Sequence, residues 1–324
     1  MKSWVTLWAL LSLALSAPAA WAVGEPPFIL AWGSFGTGIG QFNYHAGVAV
    51  DAQNNVYVVE ARNNRVQKFT RTGGYLMQWG SVGSGAGEFN APIAIATDRN
   101  GDVYVADQNN ARIQKFTGTG TFIREWGGFG GDPGQFFAVW GVATDPDGFV
   151  YVSDPYYSRI QKFTSDGQYV TEWGSYGTGD GQFTNATGLA VDAARNVYVT
   201  DLRAHRVQKF TSDGAYLGQW GTLGAGPGQF NGPNGIAVDA SDYVYVVDQH
   251  NDRVQKFTSS GVWMCSWGSH GPANGQFWNP SGIACDSGCG LYVTDLTNYR
   301  VQMFGYLPTP ALRASWGRLK SLYR

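Results

Sequence analysis

A Trp-Gly pair recurs at Trp32, Trp79, Trp126, Trp173, Trp220 and Trp267, with 47 residues between neighbours every time. Gln-Phe or Glu-Phe follows each pair at one offset, from Gln41-Phe42 to Gln276-Phe277, and glycine fills the first, fourth and eighth places after each Trp. One copy, "WGSFGTGIGQF" at residues 32–42, looks like a phosphate-cradling loop. Such a loop opens a helix and is needed once. This one is built six times and never leads into a helical pattern, so it reads as a connector.

Each period holds four short strands. In the first copy they are "GVAVD" (47–51), "NVYVVE" (55–60), "RVQKFT" (65–70) and "YLMQWG" (75–80), here called a, b, c and d. Val and Tyr suit a pleated surface, and turn residues such as "DRNG" at 98–101 separate the strands. A period of about 40 to 50 residues made of strands specifies propeller blades. The ends agree with closure. "FILAWG" (28–33) matches strand d, whereas the last copy stops after strand c at Phe304. Pairing the two completes a sixth blade and leaves no terminal blade short of a partner. The expected fold is therefore all-β, a six-bladed β-propeller of four-stranded antiparallel blades, closed by the strand at 28–33.

The recurrent side chains have physical tasks. Each Trp can bury a large apolar area between blades. Ala at 49, 96, 143, 190, 237 and 284 suggests crowding of the inner strands near the axis. An acid at 60, 107, 154, 201, 248 and 295 precedes Arg65, Arg112, Arg159, Arg206, Arg253 and Arg300 by five residues. Across a b–c hairpin that spacing lets each guanidinium fork onto its carboxylate.

"NGIAVDASDYVYVVDQHNDRVQKF" at 234–257 carries G-[IV]-A-V-D, Y-V-x-D and N-x-R-[IV] elements. These resemble the NHL repeat family, and the resemblance extends in register over residues 28–304. It implies a six-bladed propeller. It does not imply one activity, because such propellers include interaction modules, RNA-binding regions, sensor domains and an amidating lyase.

Positions that differ between copies are not dictated by the blade. The d–a connectors and b–c loops are expected on one rim, around the mouth of the axial channel. There the copies diverge, with Tyr44, His45, Trp140 and Trp278 before strand a and Arg62, Tyr156, Tyr157, Arg203, His205, His250 and Tyr299 in b–c loops. Aromatic rings beside Arg and His suit recognition of a protein, peptide or carbohydrate, so these eleven form the candidate ligand-binding set. The alternatives are a metal-dependent lyase or hydrolase at the axial channel, and a structural cell-envelope component.

No catalytic group, cofactor or metal is assigned from the sequence. The four histidines, His45, His205, His250 and His270, occupy four different places in the repeat and cannot form a symmetric ring. His205 and His250 could meet, but two imidazoles are short of a zinc set. "DRNGD" at 98–102 starts like a calcium loop, yet its twelfth position is Asn109 instead of Glu, which leaves a turn. Most Lys and Arg belong to strand c or the chain ends, and the net charge is −2. That gives no concentrated basic surface for nucleic acid.

The chain divides into residues 1–22, 23–304 and 305–324. The first segment reads as a signal peptide, with Lys2, an apolar run over 5–15 and Ala20-Trp21-Ala22 as the cleavage site. A secreted, periplasmic or cell-surface monomer is expected. In such a compartment Cys285 and Cys289, which flank the last a–b turn, could form a disulfide, with Cys265 left over. Asn185-Ala-Thr matches a glycosylation sequon if the host is eukaryotic. The tail carries four basic and no acidic residues, with Leu312, Trp316, Leu319 and Tyr323 on one helical stripe.

Overall fold

The structure is a computed structural model that describes residues 24–288 and 290–305. The signal peptide, Cys289 and the basic tail beyond residue 305 lie outside the described residues. Asn185 of the sequon is partly buried in the connector just before strand a of blade 4.

Among the described residues, six four-stranded antiparallel sheets follow one another round an axis. Blades 1 to 5 span residues 45–79, 92–127, 142–173, 186–220 and 233–267, each in sequential order a-b-c-d. Blade 6 takes strands a, b and c from Pro280–Cys285, Leu291–Asp295 and Arg300–Phe304, and its outer strand from Phe28–Trp32. Trp32 sits opposite Val301 and Phe28 opposite Phe304, so the expected latch is present in register.

Strand b is buried at every residue in all six blades. A strand covered on both faces reads as a continuous apolar run, and V-Y-V does so here. The Trp residues span the gaps between blades as expected. Trp32 of blade 6 packs 5.8 Å from Phe69 of blade 1 and 6.2 Å from its own blade's Tyr292. A turn glycine of the next blade lies against five of the rings, Trp32, Trp79, Trp126, Trp173 and Trp220. At Gly167, where φ is +77, an added Cβ would stand 2.6 Å from Trp126.

Two expectations are corrected. The crowding near the axis falls two residues before the repeated Ala, at Gly47, Gly141, Gly188, Gly235 and Gly282. A Cβ on Gly188 would collide with the carbonyl of Asn234 in the next blade. Ala49 lies instead in the core between blades, among Tyr57, Val59, Phe89 and Val103.

The second correction concerns the arginines. Arg65 touches Glu60 through Nε alone, at 2.6 Å. Its fork points the other way. Nη1 donates to Thr37 O, and Nη2 donates to Gly38 O and Gln41 O, at 2.7 to 2.9 Å. Gln67 adds a bond to Gln41 O and accepts from Gly40 N. The glycine-rich connector is thus an arginine-clamped joint, and its glycines let its carbonyls converge on one guanidinium. The same fork recurs at Arg112, Arg159, Arg206, Arg253 and Arg300.

Candidate functional site

The clamp brings each connector against a b–c loop, so both lie on one rim, the top face. Asn63 donates to Gly36 O, and the ring of Phe35 meets that of Tyr299 at 4.8 Å.

The top face is not six-fold symmetric. In blades 1, 2, 5 and 6 a loop asparagine (Asn63, Asn110, Asn251, Asn298) bridges the strand-b acid to a connector carbonyl. The connector residues Tyr44, Ala91, Gly232 and Asn279 of those blades have positive φ, 53° to 68°. Blades 3 and 4 carry Tyr157 and Ala204 in place of the asparagine. There the acid turns to the connector and accepts two backbone N–H groups, from Phe137 and Ala138 onto Asp154 and from Thr184 and Asn185 onto Asp201. Arg159 and Arg206 lack the Nε hydrogen bond that the other four arginines make, and their ion pairs with Asp154 and Asp201 lengthen to 3.9 and 3.5 Å. Burial pushes the Asp154 carboxyl up, against these backbone donors.

The altered connector of blade 3 delivers Trp140 to the axial mouth and shortens strand a to Val142–Thr144. The mouth is an open cavity of about 230 Å³. Its floor is an aliphatic collar, one side chain per blade: Val48, Ile95, Val142, Leu189, Ile236 and Ile283. Above the collar stand Tyr44, Ile93, Trp140, Leu202 and Leu296. A polar group from blades 5 and 6 completes the lining, in which Asn234 Nδ2 donates to Gln249 Oε1 at 3.4 Å and to Ser281 Oγ at 3.3 Å. Among the described lining residues there is no imidazole, carboxylate, thiol, amine or guanidinium, and the Tyr44 phenol is the one ionisable group.

The eleven candidates separate into several groups. Tyr44 and Trp140 line the mouth, and Arg62 lies over the Tyr44 ring at 5.6 Å. Tyr156 stacks on Phe137 at 3.8 Å, Tyr157 meets Tyr156 edge-on, and Arg159 lies 5.0 Å from the Tyr157 centroid. Trp278 contacts His270, Tyr299 contacts Phe35, and Arg203 is exposed. His205 is a joint, its Nδ1 accepting from Gly232 N at 3.1 Å, as Asn64 and Asp252 accept from Ala91 and Asn279. His250 reaches Gly232 from the other side, and a Cβ there would stand 2.7 Å from its Nδ1. The two imidazoles therefore do flank one residue. No group of three or more His, Cys, Asp or Glu placed to hold a metal occurs among the described residues.

His45 does not face the mouth. It is fully buried, stacks on Phe42 at 4.7 Å, and donates from Nε2 to Arg300 O at 2.8 Å. Burial pulls its pKa from 6.5 down to about 4. The calcium-like "DRNGD" is a turn, because Asp98 Oδ1 accepts from Asn100 N and Asp102 N. Sequence reading missed Leu202, Gln249 and Leu296. They follow the strand-b acid directly, a place where the copies read Ala, Gln, Pro, Leu, Gln and Leu, and that variation was the available signal.

The NHL repeat matches residues 42–69, 89–116, 183–210 and 230–257. No curated protein sequence matches the chain significantly. Among solved structures, a catalytically inactive virginiamycin B lyase from Staphylococcus aureus with quinupristin aligns at 17% identity and TM-score 0.57, over 81% of this chain and 84% of that one. A gluconolactonase from Xanthomonas campestris aligns at 14% identity and TM-score 0.61, over 87% and 98%. A chain of the nidogen/laminin complex aligns at 17% identity and TM-score 0.57, over 76% and 86%. Identities this low establish the architecture and nothing about activity. With four matched repeats, six blades in one period and the closing strand in place, the chain belongs to the NHL-repeat six-bladed β-propellers.

Proposed function

We propose that this chain is an exported binding propeller that takes an uncharged segment of a peptide or carbohydrate into its top-face mouth. The observation that carries the reading is the mouth's composition, an apolar collar with Trp140 and Tyr44 together with Asn234, Gln249 and Ser281. Apolar walls with a few placed amides and hydroxyls are the usual make-up of a recognition pocket. The cavity is sized for one side chain or one sugar ring. Export is supported by the apolar run and Ala-x-Ala sequence near the amino terminus.

The relatives in fold include two named enzymes and a component of a binding complex. The enzyme alternative finds no acid, base or ligand set among the described lining residues of this mouth, so binding is the better supported reading. The test is a titration of neutral peptides and oligosaccharides, followed by tryptophan fluorescence, with wild type and Trp140→Ala. A ligand bound by wild type should lose at least tenfold in affinity in the variant. Equal affinity for every bound ligand would remove the mouth from consideration.

A further inference from the structure

The third residue after each repeated Trp takes no part in the arginine clamp, although Phe35 meets the Tyr299 ring and His270 bonds Asp252. Its backbone bridges the Phe at the end of the connector, as Phe35 does with Phe42. Its side chain points into solvent. These residues are Phe35, Val82, Phe129, Tyr176 and Leu223, 61 to 78% exposed, with His270 in the sixth copy. The copies have drifted in identity but five of six have kept an apolar side chain at one of the most exposed places on the molecule. Scattered exposed apolar residues need no explanation, but a symmetric set does. Six equivalent positions on a propeller must lie on one circle in one plane, and these circle the top face.

We propose that this crown seats the top face on the interface of an electrically neutral lipid bilayer. Two arguments choose that partner. A folded protein without six-fold symmetry would meet only an arc of the crown and would not hold five copies apolar. A second copy of the chain could meet the whole ring, but protein interfaces need matched shapes. Phe, Val, Phe, Tyr and Leu at one position share polarity and not shape, which is what a fluid apolar medium requires. Tyr176, an aromatic side chain with one wet end, also suits that interface. None of the six connectors contains Lys or Arg, and the b–c loop cations Arg62 and Arg203 on this face are offset by Glu88, Asp132 and Asp180 of the connectors, so anionic headgroups gain little. No described helix is long and apolar enough to cross a membrane, so the contact is superficial.

The experiment is flotation of the full chain with phosphatidylcholine vesicles, with and without added phosphatidylserine, at low and high salt. The crown variant combines Phe35→Ser, Val82→Ser, Phe129→Ser, Tyr176→Ser and Leu223→Ser. Leu76→Ser with Leu217→Ser, exposed apolar sites on outer strands, is the control. Far-UV circular dichroism and thermal melting establish that each variant folds. Should the five-site variant fail to fold, Val82→Ser with Tyr176→Ser replaces it. Wild type and control should float alike, independently of salt and phosphatidylserine, and the bound fraction of the crown variant should fall at least tenfold. Failure of wild type to float, or equal flotation of the crown variant, overturns the proposal. So does concentration-dependent dimerisation that the crown variant abolishes, which would assign the ring to a second copy.

Discussion

His45 shows how a single buried group sets a pH dependence. The unfolded chain protonates this imidazole below about pH 6.5, whereas the folded chain resists until about pH 4. Its Nδ1 has no partner among the described residues, so a second proton would bring a charge into the core without a counterion. The associated stability is complete above pH 6.5, falls as pH drops through the window and levels off below 4. A shift of that size corresponds to about 3 kcal/mol. His45→Gln keeps a donor for Arg300 O and cannot titrate. Urea unfolding at pH 7 and pH 4.5 should show a loss smaller by about 2 kcal/mol in the variant than in wild type. Parallel losses would mean that the imidazole does not titrate in this window. The sequence could not place this residue, because its partner is the Arg300 carbonyl, 255 positions away, and no other copy carries a histidine there.

The connector is the element on which the site depends, and most of it was legible. Its glycines, its terminal Gln-Phe and its pairing with a strand-c arginine all follow from the 47-residue period. What spacing could not reveal was where the guanidinium points. A five-residue offset puts acid and arginine across one hairpin. The fork, however, serves carbonyls 24 to 28 residues upstream, which only the assembled ring brings near. The copies supply a controlled comparison. Arg112 bonds Asp107 through Nε at 2.8 Å besides gripping its connector, whereas Arg159 has no Nε hydrogen bond, stands 3.9 Å from Asp154, and leaves that carboxylate to two backbone donors. Removing Arg112 strands a buried carboxylate, and losses of this kind run to about 3–5 kcal/mol. Arg112→Ala should therefore cost at least about 1 kcal/mol more than Arg159→Ala in urea unfolding. Equal costs would show that the carbonyl clamp carries the whole effect. The same local difference explains why the mouth was only half legible. The loss of the loop asparagine at Tyr157 and Ala204 redirects two connectors, and its effect on Trp140 depends on geometry that no pattern of residue types records.

For the whole molecule the question is what holds the ring shut, since the sixth blade is assembled from both ends of the repeat array. The strand at Phe28–Trp32 supplies the backbone ladder. A second fastening lies on the opposite rim. In blade 1 the a–b turn acid Asp51 has its own strand-c lysine, Lys68, 3.5 Å away, and Lys68 also reaches Gly118 O of the next blade. Blade 6 places Met303 where that lysine would be, leaving Asp286 without a cation from its own blade. Arg71 of blade 1 fills the gap across the seam, with Nε 2.7 Å from Asp286 Oδ2 and Nη2 3.3 Å from Oδ1. The single hydroxyl hydrogen of Tyr292 is shared between Asp286 Oδ2 at 3.0 Å and Arg71 O at 3.2 Å, and Gly288 N and Gly290 N donate to Asp286 Oδ1, so the pair is embedded in hydrogen bonds. The ring is thus closed by moving one positive charge from blade 6 to blade 1. This makes a prediction whose sign depends on background. Arg71→Ala should cost about 2–4 kcal/mol, because the Asp286 side chain is fully buried and loses its counterion. Met303→Lys should destabilise wild type by crowding a second cation against Arg71. In the Arg71→Ala background it should instead stabilise, by restoring the arrangement of blade 1. Unfolding midpoints for the four proteins in this cycle isolate the coupling. If Met303→Lys destabilises both backgrounds equally, the seam is held by the outer strand and apolar packing, and the Arg71–Asp286 pair is incidental.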